Sequence, residues 1–478
     1  MNYGIIINIL GWVLSCESLC MVMPLICAFF CDHSNIPTFL LCIAICLILG
    51  IIMIRIAPKK RDLYAKEGFA VVALSWILIS AFGALPFYIS GAIPSYIDAL
   101  FETVSGFTTT GASILTEVES MPKALLFWRS FTHWIGGMGV LVFLVALLPL
   151  SGGNNLHLIR AESTGPSVGK LVPRVRTTAK ILYTIYSAIT VLEVILLLIG
   201  GMNIFDALTT AFGSVGTGGF GIRNDGMASF SPYIQYVVTV FMIVCGVDFS
   251  FYYGLILLRE KKFSISEEIK TYFVIVALST LIIFFNVRHL YPTIEETLRH
   301  SIFQVGSIIT TTGYATTDFD LWPQLSKTIL IMLMFIGGCA GSTAGGIKVS
   351  RIVIAIKTIL KELKITAHPL RTHKIAMNGK LVEHETVRAT NVFLVSYAII
   401  FAISLLIISL DNKSFTGNFT AVAATLSNIG PGLAEVGPTK SFADYSILSK
   451  IVFIFNMLVG RLEIFPMLIL FSPKTWKK

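Results

Sequence analysis

Thr108-Thr109-Thr110-Gly111 and Thr310-Thr311-Thr312-Gly313 are the same tetrapeptide at two distant positions of this 478-residue chain. Two variants of the pattern, Gly216-Thr217-Gly218-Gly219 and Ser427-Asn428-Ile429-Gly430, complete a series of four. We number them glycine loops 1 to 4 in chain order. Each follows a short amphipathic segment and lies between long apolar spans, and self-similarity at a long interval indicates a repeated structural unit.

Hydrophobic residues make up 55% of the chain and charged residues only 13%. A soluble protein of this length could not bury so much apolar surface, so the composition predicts a polytopic membrane protein in contact with lipid. The formal net charge of +9 is concentrated between apolar spans, which argues against nucleic acid as a partner. The positive-inside rule places these basic connections in the cytoplasm and opens the glycine loops outward. The basic connections are 59–66, 160–180, 259–262, 348–380 and 474–478.

The order of the apolar spans predicts an all-α polytopic membrane protein. Two extra transmembrane helices come first, and four repeats then surround one pore. Each repeat consists of a first span, a short pore helix, a glycine loop and a second span. The predicted segments are 1–60 for the N-terminal helix pair and 61–150, 151–262, 263–380 and 381–478 for the repeats. The predicted pore helices are 95–107, 205–212, 294–307 and 417–426, and the predicted second spans are 123–150, 232–258, 326–357 and 447–471.

The pore helices are too short to cross a bilayer. A helix of about 10 residues rises about 15 Å, which is half of a hydrocarbon core of about 30 Å. Non-helical backbone at that depth is tolerated only where it is buried in protein or lines a water-filled cavity. Backbone carbonyls can replace the hydration shell of a cation without a fixed charge, and glycine allows the backbone angles that turn them to one side. The glycine loops therefore predict a cation filter, with the partly negative ends of the pore helices at its centre.

A second glycine-rich stretch, Gly337-Gly338-Cys339-Ala340-Gly341-Ser342-Thr343-Ala344-Gly345-Gly346-Ile347-Lys348, lies in the apolar span after glycine loop 3. A phosphate-binding loop is excluded, because Ile347 separates Gly346 from Lys348 and no strand precedes the stretch. The composition predicts a helix break within the membrane that forms a flexible constriction beneath the filter. Close helix packing through small residues is the alternative. The residues assigned to the constriction are Gly338, Gly341, Ser342, Thr343, Gly345, Gly346 and Lys348.

Ionisable residues inside apolar spans are costly, so they usually face a cavity or each other. Arg461, in the stretch Gly460-Arg461-Leu462-Glu463, is a candidate to hold the constriction or to set an electrostatic barrier to cations. Glu193 and Asp248 could attract cations or could form structural ion pairs. His133 could relay protons or could simply pack within its helix.

Together these motifs resemble the TrkH type of the Trk/Ktr/HKT superfamily of potassium transporters. The two leading spans are similar to the extra N-terminal helix pair of the TrkH type. The resemblance covers nearly the whole chain. The stretches that carry it are SGFTTTGA (105–112), TGGF (217–220), TTTGY (310–314), GGCAGSTAGGIK (337–348), SNIGPG (427–432) and GRLE (460–463).

The resemblance implies a multi-pass protein of the bacterial cytoplasmic membrane that takes up potassium and is not an enzyme. It implies a homodimer that rests on a cytosolic nucleotide-binding regulatory ring of the TrkA type. Potassium is then the transported ion, and no organic cofactor is expected in this chain. Residues 338–346, named the intramembrane loop below, would gate the pore, with Arg461 as their cationic partner. The implied potassium-binding residues are Thr109, Thr110, Gly111, Thr217, Gly218, Gly219, Thr311, Thr312, Gly313, Asn428, Ile429 and Gly430.

The sequence leaves the transport mechanism open. A channel-like pathway and a symporter that couples potassium to proton or sodium entry would use the same carbonyl chemistry. A membrane-embedded enzyme or a pump subunit is disfavoured, because no HExxH, GxSxG or aspartyl-phosphate signature occurs. Serine at the first filter glycine is associated with sodium permeation in the superfamily, so Gly111 favours potassium. Gly216 and Asn428-Ile429 depart from threonine and predict an irregular filter of moderate selectivity.

Overall fold

The chain begins with the expected helix pair. The computed structural model describes residues 1–56, 65–139, 175–255, 265–369 and 373–476, and these are mostly helical. The pair comprises Tyr3–Cys20, Val22–Cys31 and Ile36–Ile54, with a 3₁₀ turn at His33–Asn35. Its helices approach closely at small residues. A Cβ atom added to Gly11 would lie 2.8 Å from the carbonyl oxygen of Gly50, so a larger residue would not fit at this position.

Each repeat has an outer helix, a pore helix and an inner helix, which we number by repeat. The outer helices are Ala65–Gly83 (continued by Leu85–Ile89), Val175–Ile199, Glu267–Val287 and His384–Ile408. The pore helices are Tyr96–Phe107, Ile204–Val215, Ile294–Ile309 and Phe415–Leu426. The inner helices are Lys123–Gly137, Pro232–Cys245, Gln324–Ile336 and Ile447–Arg461, and the helices that follow them are Phe249–Tyr253, Val349–Ala367, Phe465–Phe471 and Pro473–Trp476.

Short elements complete the described part of the chain. The 3₁₀ turns of the repeats are Arg288–Leu290, Phe319–Leu321, Ser409–Asp411 and Ala434–Val436. Strand structure, within the described residues, is limited to an antiparallel hairpin of Ala376–Met377 and Lys380–Leu381. The proposed segment boundaries after residues 60, 150 and 262 fall outside the described residues, and the boundary after residue 380 falls in this hairpin. The segment boundaries therefore stay predictions.

The second spans of repeats 2 and 4 are interrupted, a feature that the sequence did not predict. Inner helix 2 ends at Cys245 and inner helix 4 ends at Arg461, although apolar residues continue beyond both ends. The predicted spans 232–258 and 447–471 therefore each contain a break. The backbone at Glu463 and Ile464 has positive φ, which a helix cannot contain. The predicted break within 326–357 is present between the helices Gln324–Ile336 and Val349–Ala367.

Among the described residues, six helical stretches are long and apolar enough to cross a membrane. They are the N-terminal pair and the four outer helices, since each inner helix is shorter as far as it is described. The outer helices carry exposed apolar side chains: Phe285 is 69% exposed and Leu406 is 73% exposed. An apolar surface that covers whole helices fits contact with lipid rather than with water.

Every pore helix begins with the same kind of cap. A side-chain oxygen just before the helix accepts a hydrogen bond from the backbone N–H three residues later. This bond satisfies a donor that helix geometry leaves unpaired, and it fixes where the helix starts. The capping residues are Ser95, Asn203, Thr293 and Ser414. The C-terminal ends of the same helices run directly into the glycine loops.

A buried ion pair joins pore helix 1 to inner helix 1. The Arg129 Nε atom lies 2.6 Å from Glu102 Oε1, and both side chains are almost fully buried. The carboxylate also accepts hydrogen bonds from Ser113 Oγ and from the backbone N–H of Ile114, both at 2.9 Å. Arg129 in turn donates to the carbonyl of Gly221 at 2.8 Å. The pair therefore connects the segments that leave glycine loops 1 and 2.

Replacing Glu102 by alanine should lower the free energy of unfolding by about 3–5 kcal/mol, because the Arg129 guanidinium would stay buried without its counter-charge. The measurement is the apparent Tm of the purified protein in detergent. Glu117→Ala, which removes an exposed acid after glycine loop 1, is the matched control. Equal Tm values for the two variants would show that the ion pair does not hold these segments together.

Candidate ion pathway

The four glycine loops share one backbone conformation. The second residue of each loop and its final glycine have left-handed φ angles. The second residues are Thr109, Thr217, Thr311 and Asn428, with φ of 55°, 52°, 56° and 57°. The glycines Gly111, Gly219, Gly313 and Gly430 have φ of 78°, 74°, 86° and 98°. Left-handed backbone is strained for a residue with a side chain, so its recurrence shows that the surrounding structure imposes it.

The loops are fastened to their own pore helices by a recurring backbone hydrogen bond. The N–H of the third loop residue donates to the carbonyl five residues earlier, at 2.8 or 2.9 Å. The donors are Thr110, Gly218, Thr312 and Ile429, and the acceptors are Ser105, Gly213, Ser307 and Ala424. In a trans peptide the N–H and the preceding carbonyl point in opposite directions. The carbonyl of each second loop residue therefore points away from its pore helix.

Each loop glycine lies against the loop of the next repeat. A Cβ atom added to any of these glycines would lie within 3 Å of a carbonyl oxygen, which is closer than real Cβ atoms approach. The glycine–carbonyl pairs are Gly111 with Gly218, Gly219 with Thr312, Gly313 with Ile429 and Gly430 with Thr110. The series runs from loop 1 to 2, 2 to 3, 3 to 4 and 4 to 1. A closed series of this kind requires that the loops surround a common axis.

The loops differ in their side chains and not in their backbone. In loops 1 and 3 the Oγ1 atoms of the first and third threonines lie 2.8 Å apart. Loop 2 has Gly216 and Gly218 at these positions. In loop 4 the Asn428 amide donates to Thr110 Oγ1 of loop 1 at 2.9 Å. The departures from threonine therefore change the side chains of loops 2 and 4 and leave the backbone path regular.

An outer cavity of about 520 Å³ leads to the ring. Its walls include the loop glycines Gly111, Gly219, Gly313 and Gly430. Side chains of both charges line it as well, among them Arg223, Lys440, Glu435 and Asp444. The cavity thus opens directly onto all four loops.

The intramembrane loop lies against the opposite side of the ring. Its hydrogen bonds reach the bases of glycine loops 2, 3 and 4. They run from Thr343 Oγ1 to the Val215 carbonyl at 3.2 Å, from Gly345 N–H to Thr311 Oγ1 at 2.6 Å, and from Gly346 N–H to the Ser427 carbonyl at 3.0 Å. One short segment therefore contacts three repeats directly beneath the ring.

Arg461 joins the intramembrane loop to repeat 1. One terminal nitrogen of its buried guanidinium donates to the Thr343 carbonyl at 2.7 Å and to Thr109 Oγ1 at 3.2 Å. The other donates to the carbonyls of Gly136 and Gly137 at 2.6 and 2.7 Å. These carbonyls end inner helix 1, where the helix dipole favours a cation. The positive charge is therefore held among backbone oxygens at the base of the ring.

The other residues assigned to the constriction shape the same segment. Lys348 is buried, and its Nζ atom donates to the carbonyl of Ala344. Ser342 Oγ donates to the carbonyl of Cys339 at 2.6 Å. The glycines are tightly packed, and a Cβ atom added to each would meet an atom of a neighbouring residue. The pairs are Gly338 with the Gly246 carbonyl oxygen, Gly341 with Asp248 Oδ1, Gly345 with the Ser427 carbonyl oxygen and Gly346 with Gly337 Cα. Close packing and a helix break, which were alternatives in the sequence, therefore occur together.

His133 is completely buried, and both of its ring nitrogens have backbone partners. Nδ1 lies 2.7 Å from the Gly106 carbonyl, and Nε2 lies 3.2 Å from the backbone nitrogen of Phe220. The ring thus joins pore helix 1 to the segment after glycine loop 2. These contacts favour the packing role over a proton relay.

The carboxylates of Glu193 and Asp248 accept hydrogen bonds from uncharged groups. Glu193 Oε1 accepts from Ser214 Oγ at 2.6 Å, while Oε2 has no hydrogen-bond partner within the described residues. Asp248 accepts from the backbone N–H of Ser250 at 2.8 Å and so caps the helix Phe249–Tyr253. The described part of the chain thus places no basic group in an ion pair with either residue.

The sequence did not predict the ion pairs near the pathway. Besides Glu102 and Arg129, Arg351 and Glu463 form a bridge at 2.5 Å between the helix after the intramembrane loop and the end of inner helix 4. The GRLE stretch drew attention to Glu463. Its partner lies 112 residues away, and no local spacing reveals a contact at that separation.

Comparisons with known proteins agree with this geometry. The family described as TrkH, cation transport protein, matches residues 36–478. The Trk system potassium uptake protein TrkH of Vibrio parahaemolyticus is 35% identical to this chain, with 100% of each sequence covered. The protein of the same name from Escherichia coli K12 is 36% identical, with 88% of each covered. The crystal structure of the potassium transporter TrkH from Vibrio parahaemolyticus matches with a TM-score of 0.90 and 33% identity over 100% of both chains.

The helix order, the closed ring of glycine loops and these similarities all indicate the same family. The family is one of transporters and not of enzymes. With its apolar spans, this is a multi-pass protein of the bacterial cytoplasmic membrane. The chain belongs to the TrkH family of cation transport proteins.

Proposed function

We propose that this protein takes up potassium through the ring formed by the four glycine loops. The observation that carries the proposal is the closed series in which each loop glycine lies against a carbonyl of the next loop. Carbonyl oxygens held around one axis can take the place of water around a potassium ion. The relatives are named as potassium uptake proteins, which supports potassium as the transported ion. The potassium-binding residues are the second to fourth residues of each loop.

The intramembrane loop is the gate of this pathway. It lies directly beneath the ring and bonds to three of the glycine loops, so an ion that leaves the ring meets it next. Arg461 holds this loop through the Thr343 carbonyl and adds a positive charge below the ring. In this proposal the loop blocks the pathway while these bonds hold, and opening requires the loop to leave its partners.

A channel-like mechanism fits the contacts best. The loop residues provide a continuous set of oxygens without a fixed charge, which lets an ion bind and leave. A proton-coupled symporter is the second candidate, and Glu193 is the observation that favours it. Its Oε2 atom is buried without a partner among the described residues and could carry a proton.

The assembly proposed for the protein follows its family. We infer a homodimer regulated by a cytosolic nucleotide-binding ring of the TrkA type. The names of the relatives place them in a Trk system, which supports a multicomponent assembly. The basic connections are predicted to face the cytoplasm, where such a ring would dock.

Gly313→Ser should reduce potassium flux or potassium selectivity by about tenfold, because a Cβ atom would overlap the Ile429 carbonyl and displace the ring at a cost above about 1.4 kcal/mol. Flux of potassium and sodium into liposomes is the measurement. Gly201→Ser is the matched control, since Gly201 has φ of 89° against 86° for Gly313 but has open space around it. Equal effects at positions 313 and 201 would refute the filter assignment.

Deleting residues 340–345 should raise potassium flux through the purified protein by about tenfold without any regulatory partner. The reason is that a loss of about 1.4 kcal/mol of contacts that favour the closed loop changes the open-to-closed equilibrium by that factor. Arg461→Gln should raise flux in the same direction by removing bonds to the Thr343 carbonyl. Both are measured in liposomes at matched protein content. Flux at the wild-type level in both variants would rule out the gate.

Potassium flux in liposomes that hold the purified protein, with a potassium gradient and no proton or sodium gradient, separates the two mechanisms. A channel-like pathway should give rapid flux that is insensitive to clamping the pH. Flux that occurs only with an imposed proton gradient would favour the symporter. In that case Glu193→Gln should abolish the proton dependence, because the residue could no longer exchange a proton.

A further inference from the structure

Glu268 contacts both flanks of the turn formed by the intramembrane loop. The residue lies in the first turn of outer helix 3 and is half-buried. Its Oε1 atom accepts a hydrogen bond from the backbone N–H of Ala340 at 2.7 Å and another from that of Ser350 at 3.1 Å. A single carboxylate oxygen therefore joins the start of the loop to the helix that follows it.

The helix Val349–Ala367 lacks a cap from its own preceding residue. Lys348 stands at that position with φ of 83° and makes no side-chain capping bond, since its Nζ atom donates to Ala344. The free N–H groups at a helix start need acceptor oxygens. Glu268 supplies one from another helix, so it caps Val349–Ala367 in place of a local residue.

The position of Glu268 is itself fixed by its neighbour. The Glu267 carboxylate lies 2.5 Å from Lys357 Nζ, and its backbone N–H donates to Asn378 Oδ1 at 2.6 Å. Lys357 also donates to the Ala376 carbonyl at 2.7 Å in the hairpin. The start of outer helix 3 is thereby tied to the helix that follows the intramembrane loop, and Glu268 is held at a defined height beside the loop.

We propose that Glu268 is a positioning residue that holds the intramembrane loop in the closed arrangement by accepting the N–H groups of Ala340 and Ser350. This inference rests on the proposed gating function of the loop. Removing the acceptor leaves two donors near the membrane interior without a partner, which favours movement of the loop toward water. Glu268 thus biases the gate without contact with the ion.

The test combines three variants with two measurements on the full-length protein in liposomes. Glu268→Ala removes the acceptor, Glu268→Gln keeps an acceptor oxygen at the same place, and Glu362→Ala removes an exposed acid from the helix Val349–Ala367 as a control. The first measurement is potassium flux without a regulatory partner. The second is alkylation of Cys339 by N-ethylmaleimide, followed by peptide mass spectrometry. Cys339 is completely buried in the loop, and Cys42 is equally buried in the N-terminal pair as an internal reference.

Glu268→Ala should accelerate alkylation of Cys339 by about tenfold and raise flux by a similar factor, as expected for a loss of about 1.4 kcal/mol of closing free energy. Cys42 should react at its wild-type rate. Glu268→Gln and Glu362→Ala should stay within about twofold of the wild type, because the first keeps the acceptor and the second never contacts the loop. A purely structural role of Glu268 would instead expose both cysteines together.

Three results would overturn the inference. They are an unchanged Cys339 rate in Glu268→Ala, a parallel acceleration of Cys42, and a Glu268→Gln variant that behaves like Glu268→Ala. Failure of the gate itself is recognised separately. If Cys339 is exposed while flux stays constant, Glu268 positions the loop but the loop does not gate the pathway. If deletion of 340–345 raises flux and Glu268→Ala changes nothing, the gate stands and Glu268 has no part in it.

Discussion

The contact between a loop glycine and a carbonyl of the next repeat is the constraint on which the rest of the fold depends. A side chain at Gly111, Gly219 or Gly313 would overlap a neighbouring carbonyl oxygen, and one at Gly430 would lie 2.7 Å from Thr110 O. Glycine is needed there both for this space and for its left-handed φ. The pore helices, their caps and the outer helices are arranged so that four such loops meet at one axis.

Rigidity around the ring comes from bonds made outside it. Each loop is fastened to its own pore helix by the recurring backbone bond, and Glu102, Arg129 and His133 connect the segments of repeats 1 and 2. These bonds use the N–H groups and leave the opposite carbonyls directed away from the pore helices. The strained φ at Thr109 and its counterparts persists because several independent contacts impose it.

The intramembrane loop is held differently, by side chains from other elements. Backbone polar groups within the membrane need partners from protein or from water. For the intramembrane loop those partners include Arg461, Thr311 and Glu268. Each is a side chain from another element, so the proposed opening of the loop would break these bonds without unfolding a helix.

The sequence by itself determined the membrane class, the four repeats, the pore-helix positions and the break after Ile336, because apolar length and glycine content act locally. It also singled out the loop glycines and Arg461. Only the tertiary structure decided which carbonyl faces each glycine, that Asn428 and Gly216 leave the backbone regular, and that Glu193 bonds Ser214. The breaks after Cys245 and Arg461 also became visible only in the tertiary structure. Partners such as Arg351 and Glu463 are far apart in the chain, and long-range contacts depend on the packing of whole helices.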